Sequence, residues 1–183
     1  MRYKIIRSQR KTLSLEVRDG EILVRAPLFA KKADVEHFVA GNEAWLLRQL
    51  QEQESMKKRT DAIPKLTDAE LAALKKRAKA IFPQRVALYA PLVGVMPERI
   101  TVRAQRTKWG SCSSRNNLNF NCLLLLAPPE VLDSVVVHEL CHLKYMNHSK
   151  SFYDEVLRIF PAYPRCDRWL KEHGPELMAR LPA

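Results

Sequence analysis

Val131-Leu132-Asp133-Ser134-Val135-Val136-Val137-His138-Glu139-Leu140-Cys141-His142 is the stretch whose reading decides the fold. It is an apolar run that ends in H-E-x-x-H. On a helix, His138 and His142 share one face, where two imidazoles can bind the same Zn²⁺. Glu139 lies one residue round, within reach of a water at the metal rather than of the metal itself. Ligands and a general base for water attack thus come from five consecutive residues. The competing reading is a pair of ordinary half-buried histidines on an amphipathic helix. Against it, the chain holds five histidines, and His138, His142 and His148 fall within eleven residues. His37 and His173 sit in charged, helix-like contexts and read as surface residues. A purely structural zinc usually closes with four Cys/His ligands, and the sequence has no C-x-x-C pair.

Catalytic zinc takes three protein ligands and keeps the fourth position open. His148 is six residues past His142, about 240° round a continuous helix and facing away. The helix must therefore end between Leu143 and Asn147 if His148 is to return to the metal, and Asn147 tolerates the left-handed conformation a reversal can use. Ser149 then caps a new helix, Lys150 to Phe160, whose apolar face is Phe152, Val156, Leu157 and Phe160. Glu155 on that helix is the rival third ligand, ranked below His148. Metzincins share the His-to-His spacing but carry Gly midway, where this chain has Tyr145.

The wider stretch Arg106-Thr107-Lys108-Trp109-Gly110-Ser111-Cys112-Ser113-Ser114, then Asn117-Leu118-Asn119, Leu124 to Pro129, Val135 to Leu143, Asn147-His148-Ser149 and Phe152 resembles the YgjP-like metallopeptidase family of zincins. Ser8 to Leu15 and Val24-Arg25-Ala26-Pro27 resemble it as well. The resemblance implies a zinc-binding hydrolase with His138, His142 and His148 as ligands and Glu139 catalytic. It leaves the substrate open, because the family is named for peptidases by its motif while a nucleoside-triphosphate pyrophosphatase activity has been assigned to a member. A further similarity, to SprT-like proteases acting on proteins at DNA, rests on the metal helix and the basic charge.

The chain has 183 residues, 46% hydrophobic and 28% charged, which describes a globular protein of one core with or without a smaller appendage. Met1-Arg2-Tyr3-Lys4 is not followed by a long apolar segment, and no 18-residue apolar stretch occurs, so neither a secretory signal nor a membrane span is expected. Four cysteines without framework spacing read as reduced thiols in a cytoplasmic protein. The net charge of +11 favours polyanions, nucleic acid or nucleotide phosphates, against the plainer reading of a generally basic solvated surface. Arg99, Arg103, Arg106, Lys108 and Arg115 precede the metal helix with no acid among them. If they border the site, its cleft is positive and suits phosphate or a peptide carboxylate.

The expected fold is α+β: a zincin-like metal helix on a small antiparallel or mixed sheet, preceded by an N-terminal β-hairpin region and helices. Residues 1–64 are expected to form N-terminal strands plus a helix, and 65–183 the hydrolase core. Alternation around Tyr3 and Ile5, Leu13 to Val17, and Ile22 to Val24 predicts three antiparallel strands, with Asp19-Gly20 as a hairpin turn. A helix over residues 31–58 follows, with Trp45 in its core. Ser55 to Pro64 is the linker. Thr67-Asp68-Ala69-Glu70 reads as a capping box opening a helix to about Tyr89, kinked or split at Pro83. Ile100-Thr101-Val102 is a strand, Trp109 to Cys112 a turn or bulge, and Asn119 to Leu124 the next strand. Pro128-Pro129 opens the metal helix. Gly174 stops a last helix over Cys166 to Glu172.

Residues 118–124 are the expected strand beside the metal helix, where an extended peptide can pair. Asn119 and Asn121 point the same way along it and are placed in the cleft, with Lys108, Trp109 and Arg106. For Trp109, packing is weighed above a cleft role. A zinc-dependent hydrolase, foremost a metallopeptidase acting on peptide or protein, is the primary reading. Alternatives are a metal-dependent nucleoside-triphosphate (UTP-type) pyrophosphatase and a basic nucleic-acid-associated protein or SprT-type protease.

Overall fold

The computed structural model describes residues 1–182, which divide into two compact units: Met1–Ala62, and the chain from Ile63 onward. In the first, β1 (Lys4–Ser8), β2 (Ser14–Arg18) and β3 (Glu21–Pro27) form a sheet of order β1-β3-β2. The alternation of β3 buries Ile22, Val24 and Ala26 against Val35, Val39 and Leu46. Asp19 and Gly20 both have positive φ, 52° and 76°, as a tight hairpin between β2 and β3 requires. The expected all-antiparallel arrangement is corrected in one respect. β1 runs parallel to β3, because the short connection over residues 9–13 reverses the chain across the end of β3, so β1 and β2 flank β3 in opposite directions.

The expected single helix over 31–58 is two: α1 (Lys32–Ala40) and α2 (Glu43–Asp61), interrupted at Gly41 and Asn42. Trp45 is 38% exposed, not core, because the inward face of α2 is carried by its neighbour Leu46. Helix α2 also runs through most of the expected linker, leaving a non-helical stretch only over residues 62–67.

The second unit begins with α3 (Asp68–Val93), opened by the capping box: Thr67 Oγ1 accepts from the Glu70 amide at 3.2 Å, and Glu70 accepts from the Thr67 amide at 2.8 Å. Leu74, Ala78, Phe82, Val86, Ala90 and Val93 make one continuous buried stripe. That stripe carries the helix past Pro83 and Pro91, so α3 is neither split nor ended at Tyr89. Gly94, in the left-handed conformation, stops it.

A second sheet joins β4 (Arg99–Arg103), β5 (Gly110–Cys112) and β6 (Asn117–Asn121) in the order β4-β6-β5. β6 is parallel to β4 and antiparallel to β5. The expected turn at Gly110–Cys112 is thus a short edge strand. The expected strand 119–124 stops at Asn121, whose side chain accepts from the Leu123 amide and starts a 3-10 turn, Cys122–Leu126. α4 (Pro129–Cys141) packs against both this sheet and α3, which also meets the sheet; Val131 to Val137 are all buried. Phe82 of α3 stacks on Phe120 of β6 with centroids 4.6 Å apart. Asp133 of α4 accepts from Arg85 Nε at 2.6 Å and from the Tyr89 hydroxyl at 3.1 Å, pinning α4 to α3. α5 (Lys150–Ile159) and α6 (Tyr163–Ala179) complete the unit, and α6 passes straight through Gly174 and Pro175.

Candidate metal centre and active site

The buried helix α4 delivers His138 and Glu139 in its last turn and His142 as its C-cap. The helix ends at Cys141, slightly before the expected window, and turn hydrogen bonds carry the reversal: Leu143 N to Leu140 O, and Lys144 N and Tyr145 N to Cys141 O. Asn147 is not among the positive-φ residues, so ordinary turn backbone brings His148 round. Ser149 Oγ then accepts from the Phe152 amide at 3.4 Å and opens α5.

The three histidines converge through one nitrogen each. His142 Nε2 and His148 Nε2 each lie 3.2 Å from His138 Nε2. A tetrahedral ion with Zn–N bonds of about 2.0–2.1 Å needs ligand nitrogens roughly 3.3 Å apart. The second nitrogen of His142 faces the Tyr145 carbonyl at 3.0 Å. A carbonyl only accepts, so Nδ1 carries the proton and Nε2 presents a lone pair to the cluster. Phe152, fully buried, floors the site: its ring centroid is 4.9, 4.5 and 5.0 Å from those of His138, His142 and His148. The donor chemistry and spacing fit a divalent cation such as zinc.

Glu139 is 5% exposed, and its Oε2 is buried with no hydrogen-bond partner. Burial pushes this carboxyl up to about 8, against the pull of the Lys108 charge. Burial also pushes His138 down to about 3, helped by the charges of His142 and His148 and opposed by Asp167. His142 is lowered by burial as well, with the Tyr145 carbonyl working the other way. Glu155, the rival ligand, is engaged elsewhere: Lys144 donates to it at 2.9 Å and Arg158 at 2.8 Å. Arg158 first, and Lys144 with it, hold that carboxyl down at about 2.

Beside His138 and Glu139 opens a cavity of about 230 Å³, lined among others by Lys108, Trp109, Gly110, Tyr163, Asp167 and Leu170. Of the residues assigned to the cleft from sequence, Lys108 and Trp109 are there. Asn121 is fully buried instead, donating to the carbonyls of Gln105 at 2.7 Å and Lys108 at 2.9 Å, so it shapes the loop that presents Lys108. Asn119 accepts from Thr101 Oγ1 on β4 and donates to Gln105 Oε1 in the loop that follows it. Arg106 donates to the Pro182 carbonyl and borders a separate opening beyond Trp109. Arg99 and Arg103 lie on β4, with β6 between them and the edge strand at Glu139, so the positive charge at the cavity reduces to Lys108. β6 is paired on both sides and has no free edge for a peptide; β4 and β5 are the edge strands, and β5 is the one beside Glu139.

Tyr163 and Asp167 escaped the sequence reading. They stand on α6, 25 and 29 positions after His138, and no local pattern ties them to the motif. A larger groove of about 850 Å³ lies in the first unit between the β2–β3 hairpin and α2. There Gln53 is occupied in holding the hairpin, accepting from Gly20 N and donating to the Val17 carbonyl.

A two-layer α+β domain whose central helix carries paired histidines against a small mixed sheet has the architecture of a zincin. The family described as YgjP-like, metallopeptidase domain, matches residues 64–173, and the chain belongs to this family of metallopeptidases. Hydrolysis with a divalent metal is the chemistry that membership carries. No curated protein matches the chain. Among solved structures it is similar to the metallopeptidase zymogen abylysin of Pyrococcus abyssi, at 21% identity and TM-score 0.46, over 50% of this chain and 94% of that one. The zymogen jannalysin of Methanocaldococcus jannaschii is similar at 19% identity and TM-score 0.45, again over 50% and 94%. No helix among the described residues is long and apolar enough to cross a membrane.

Proposed function

We propose that this protein is a zinc-dependent peptidase, with His138, His142 and His148 binding the ion through Nε2 and Glu139 acting as general base. The observation that carries the reading is the convergence of three imidazole nitrogens within 4.8 Å of one another, with His142 Nε2 and His148 Nε2 each 3.2 Å from His138 Nε2, beside a buried, unpartnered carboxylate oxygen. When bound, the ion supplies a Lewis acid that acidifies water and polarises a carbonyl. Glu139 Oε2 takes a proton from water as the water oxygen attacks the scissile carbonyl carbon. It returns that proton to the leaving nitrogen as the C–N bond breaks. Burial makes Glu139 a stronger base than an exposed carboxylate, and Lys108 on the cavity wall stabilises its ionised form. The free edge of β5 next to Glu139 supports an extended peptide as substrate, held by main-chain pairing. The two compact units are proposed as separate domains with the chemistry in the second. A reducing, cytoplasmic setting belongs to the same proposal, supported by four free cysteines.

The test is metal content and turnover together. The purified protein is expected to hold about one zinc per chain. His138→Ala and His142→Ala are expected to abolish stoichiometric binding, and His148→Ala to weaken it sharply. Full retention in the first two would sink the site. Zinc-loaded protein is then offered unfolded polypeptides beside nucleoside triphosphates. Turnover of the nucleotides alone would replace the peptidase reading with the pyrophosphatase one.

A further inference from the structure

Four residues of α6 at helical spacing, Tyr163, Asp167, Leu170 and Gly174, lie on the side of that helix that meets the site. The first three line the cavity at His138 and Glu139. Gly174 faces the Trp109 ring so closely that a Cβ would lie 2.9 Å from Cζ2. Within this wall Tyr163 makes a specific contact: its hydroxyl oxygen is 2.8 Å from His138 Nδ1. The two rings are nearly parallel, 15° apart, with centroids at 5.7 Å. His138 is thus held at both ends, by the cluster at Nε2 and by α6 at Nδ1. His142 has its equivalent anchor in the Tyr145 carbonyl, whereas His138 relies on a side chain from a distant helix.

An imidazole can carry its proton on either nitrogen, and only the form protonated at Nδ1 offers Nε2 to a cation. A phenol oxygen accepts a hydrogen bond as well as donating one, so it can stabilise that form. We propose that Tyr163 is the positioning residue of His138: its oxygen accepts from Nδ1–H, fixing the ring plane and the tautomer that turns Nε2 toward the metal. This rests on the metal reading above. It gives α6 a part in metal binding without contributing a ligand.

Tyr163→Phe keeps the ring and removes the oxygen. Metal-free wild type, Tyr163→Phe and Tyr153→Phe are titrated with zinc against a chromophoric chelator, and their metal-free melting temperatures are measured alongside. Tyr153 is the control, since its ring lies 6.4 Å from that of Tyr163 and 6.0 Å from that of His148. Zinc affinity is expected to fall about ten- to a hundredfold in Tyr163→Phe, to stay within about twofold in Tyr153→Phe, and to change without a matching change in metal-free melting temperature. Equal affinities of wild type and Tyr163→Phe would overturn the role of Tyr163 and leave the metal site standing. Absence of stoichiometric zinc from wild type would overturn both. A measurement that needs no variant is the long-range ¹H–¹⁵N spectrum of metal-free wild type, which reads the tautomer without the ion. His138 is expected to carry its proton on Nδ1, and a bare Nδ1 there would refute the role of Tyr163 while leaving the metal site standing.

Discussion

Gly110 stands so close to Glu139 that a Cβ added at Gly110 would lie 2.5 Å from Glu139 Oε1. The glycine of the edge strand is therefore the space in which the buried carboxylate sits. Any side chain there must displace either β5 or the proposed base.

Gly110→Ala is accordingly expected to cost more than a surface glycine would. Forcing a methyl into a filled space costs about 1–3 kcal/mol, visible as a lowered denaturant midpoint. Turnover is expected to fall at least about tenfold, because a displaced base loses its alignment with the water, while zinc stoichiometry stays at wild type. A variant with unchanged activity would show that Glu139 is not confined as described.

The metal-free protein is expected to have a plateau of stability between two opposed slopes. Glu139 is raised from its ordinary 4.5 to about 8, so its neutral form contributes stability that is complete below pH 4.5 and lost as pH rises through about 8. His138 is lowered from 6.5 to about 3, so its contribution is complete above pH 6.5 and lost as pH falls toward 3. Between 4.5 and 6.5 the two trends oppose each other. From 6.5 to 8 only the Glu139 loss remains. Glu139→Gln mimics the neutral carboxyl. It is expected to abolish the fall above pH 6.5, stabilising the metal-free protein there by on the order of 2 kcal/mol, and to abolish turnover while keeping zinc. Melting temperatures across the pH range read this directly. A steeper fall in the Gln variant would be the wrong sign.

Asp133 is expected to matter for the whole second unit. It is 5% exposed and answered by Arg85 and Tyr89. Removing one partner of a buried pair costs about 3–5 kcal/mol. Arg85 keeps about a third of its side-chain surface in water, so Asp133→Asn is expected to cost somewhat less, roughly 2–3 kcal/mol. Chemical denaturation of the metal-free protein measures it, and a change below about 0.5 kcal/mol, the range of ordinary surface substitutions, would show that the pair does not tie α4 to α3.

The grouping of the three histidines was legible because it is local. His138, Glu139 and His142 sit on one helix whose period dictates their relation, and the return of His148 follows from simple angular bookkeeping along that helix. The capping box at Thr67 and the Asp19-Gly20 hairpin are equally short-range. What escaped the sequence depends on contacts distant along the chain. β5 has three residues, too few for alternation to declare a strand, so the free edge was assigned to β6. Asn121 reads as a cleft residue by strand parity, yet its amide is consumed by the Gln105 and Lys108 carbonyls. Gly174 reads as a helix stop, but its purpose is to admit the Trp109 ring. Pro83 reads as a break, and the buried stripe of α3 overrides it.

The three imidazoles come from a span of eleven residues. An ion gripped between them closes a loop that is already short, and loop-closure entropy rewards long closures more than short ones. On the proposed ligand set, the ion would be a clasp on one local segment rather than a keystone for the domain. Chelation is expected to accelerate amide exchange across residues 142–149 while the α3, α4 and β6 core still unfolds as one cooperative unit. Loading and losing metal would then be a reversible event in a folded protein, decoupled from the making and unmaking of the fold itself.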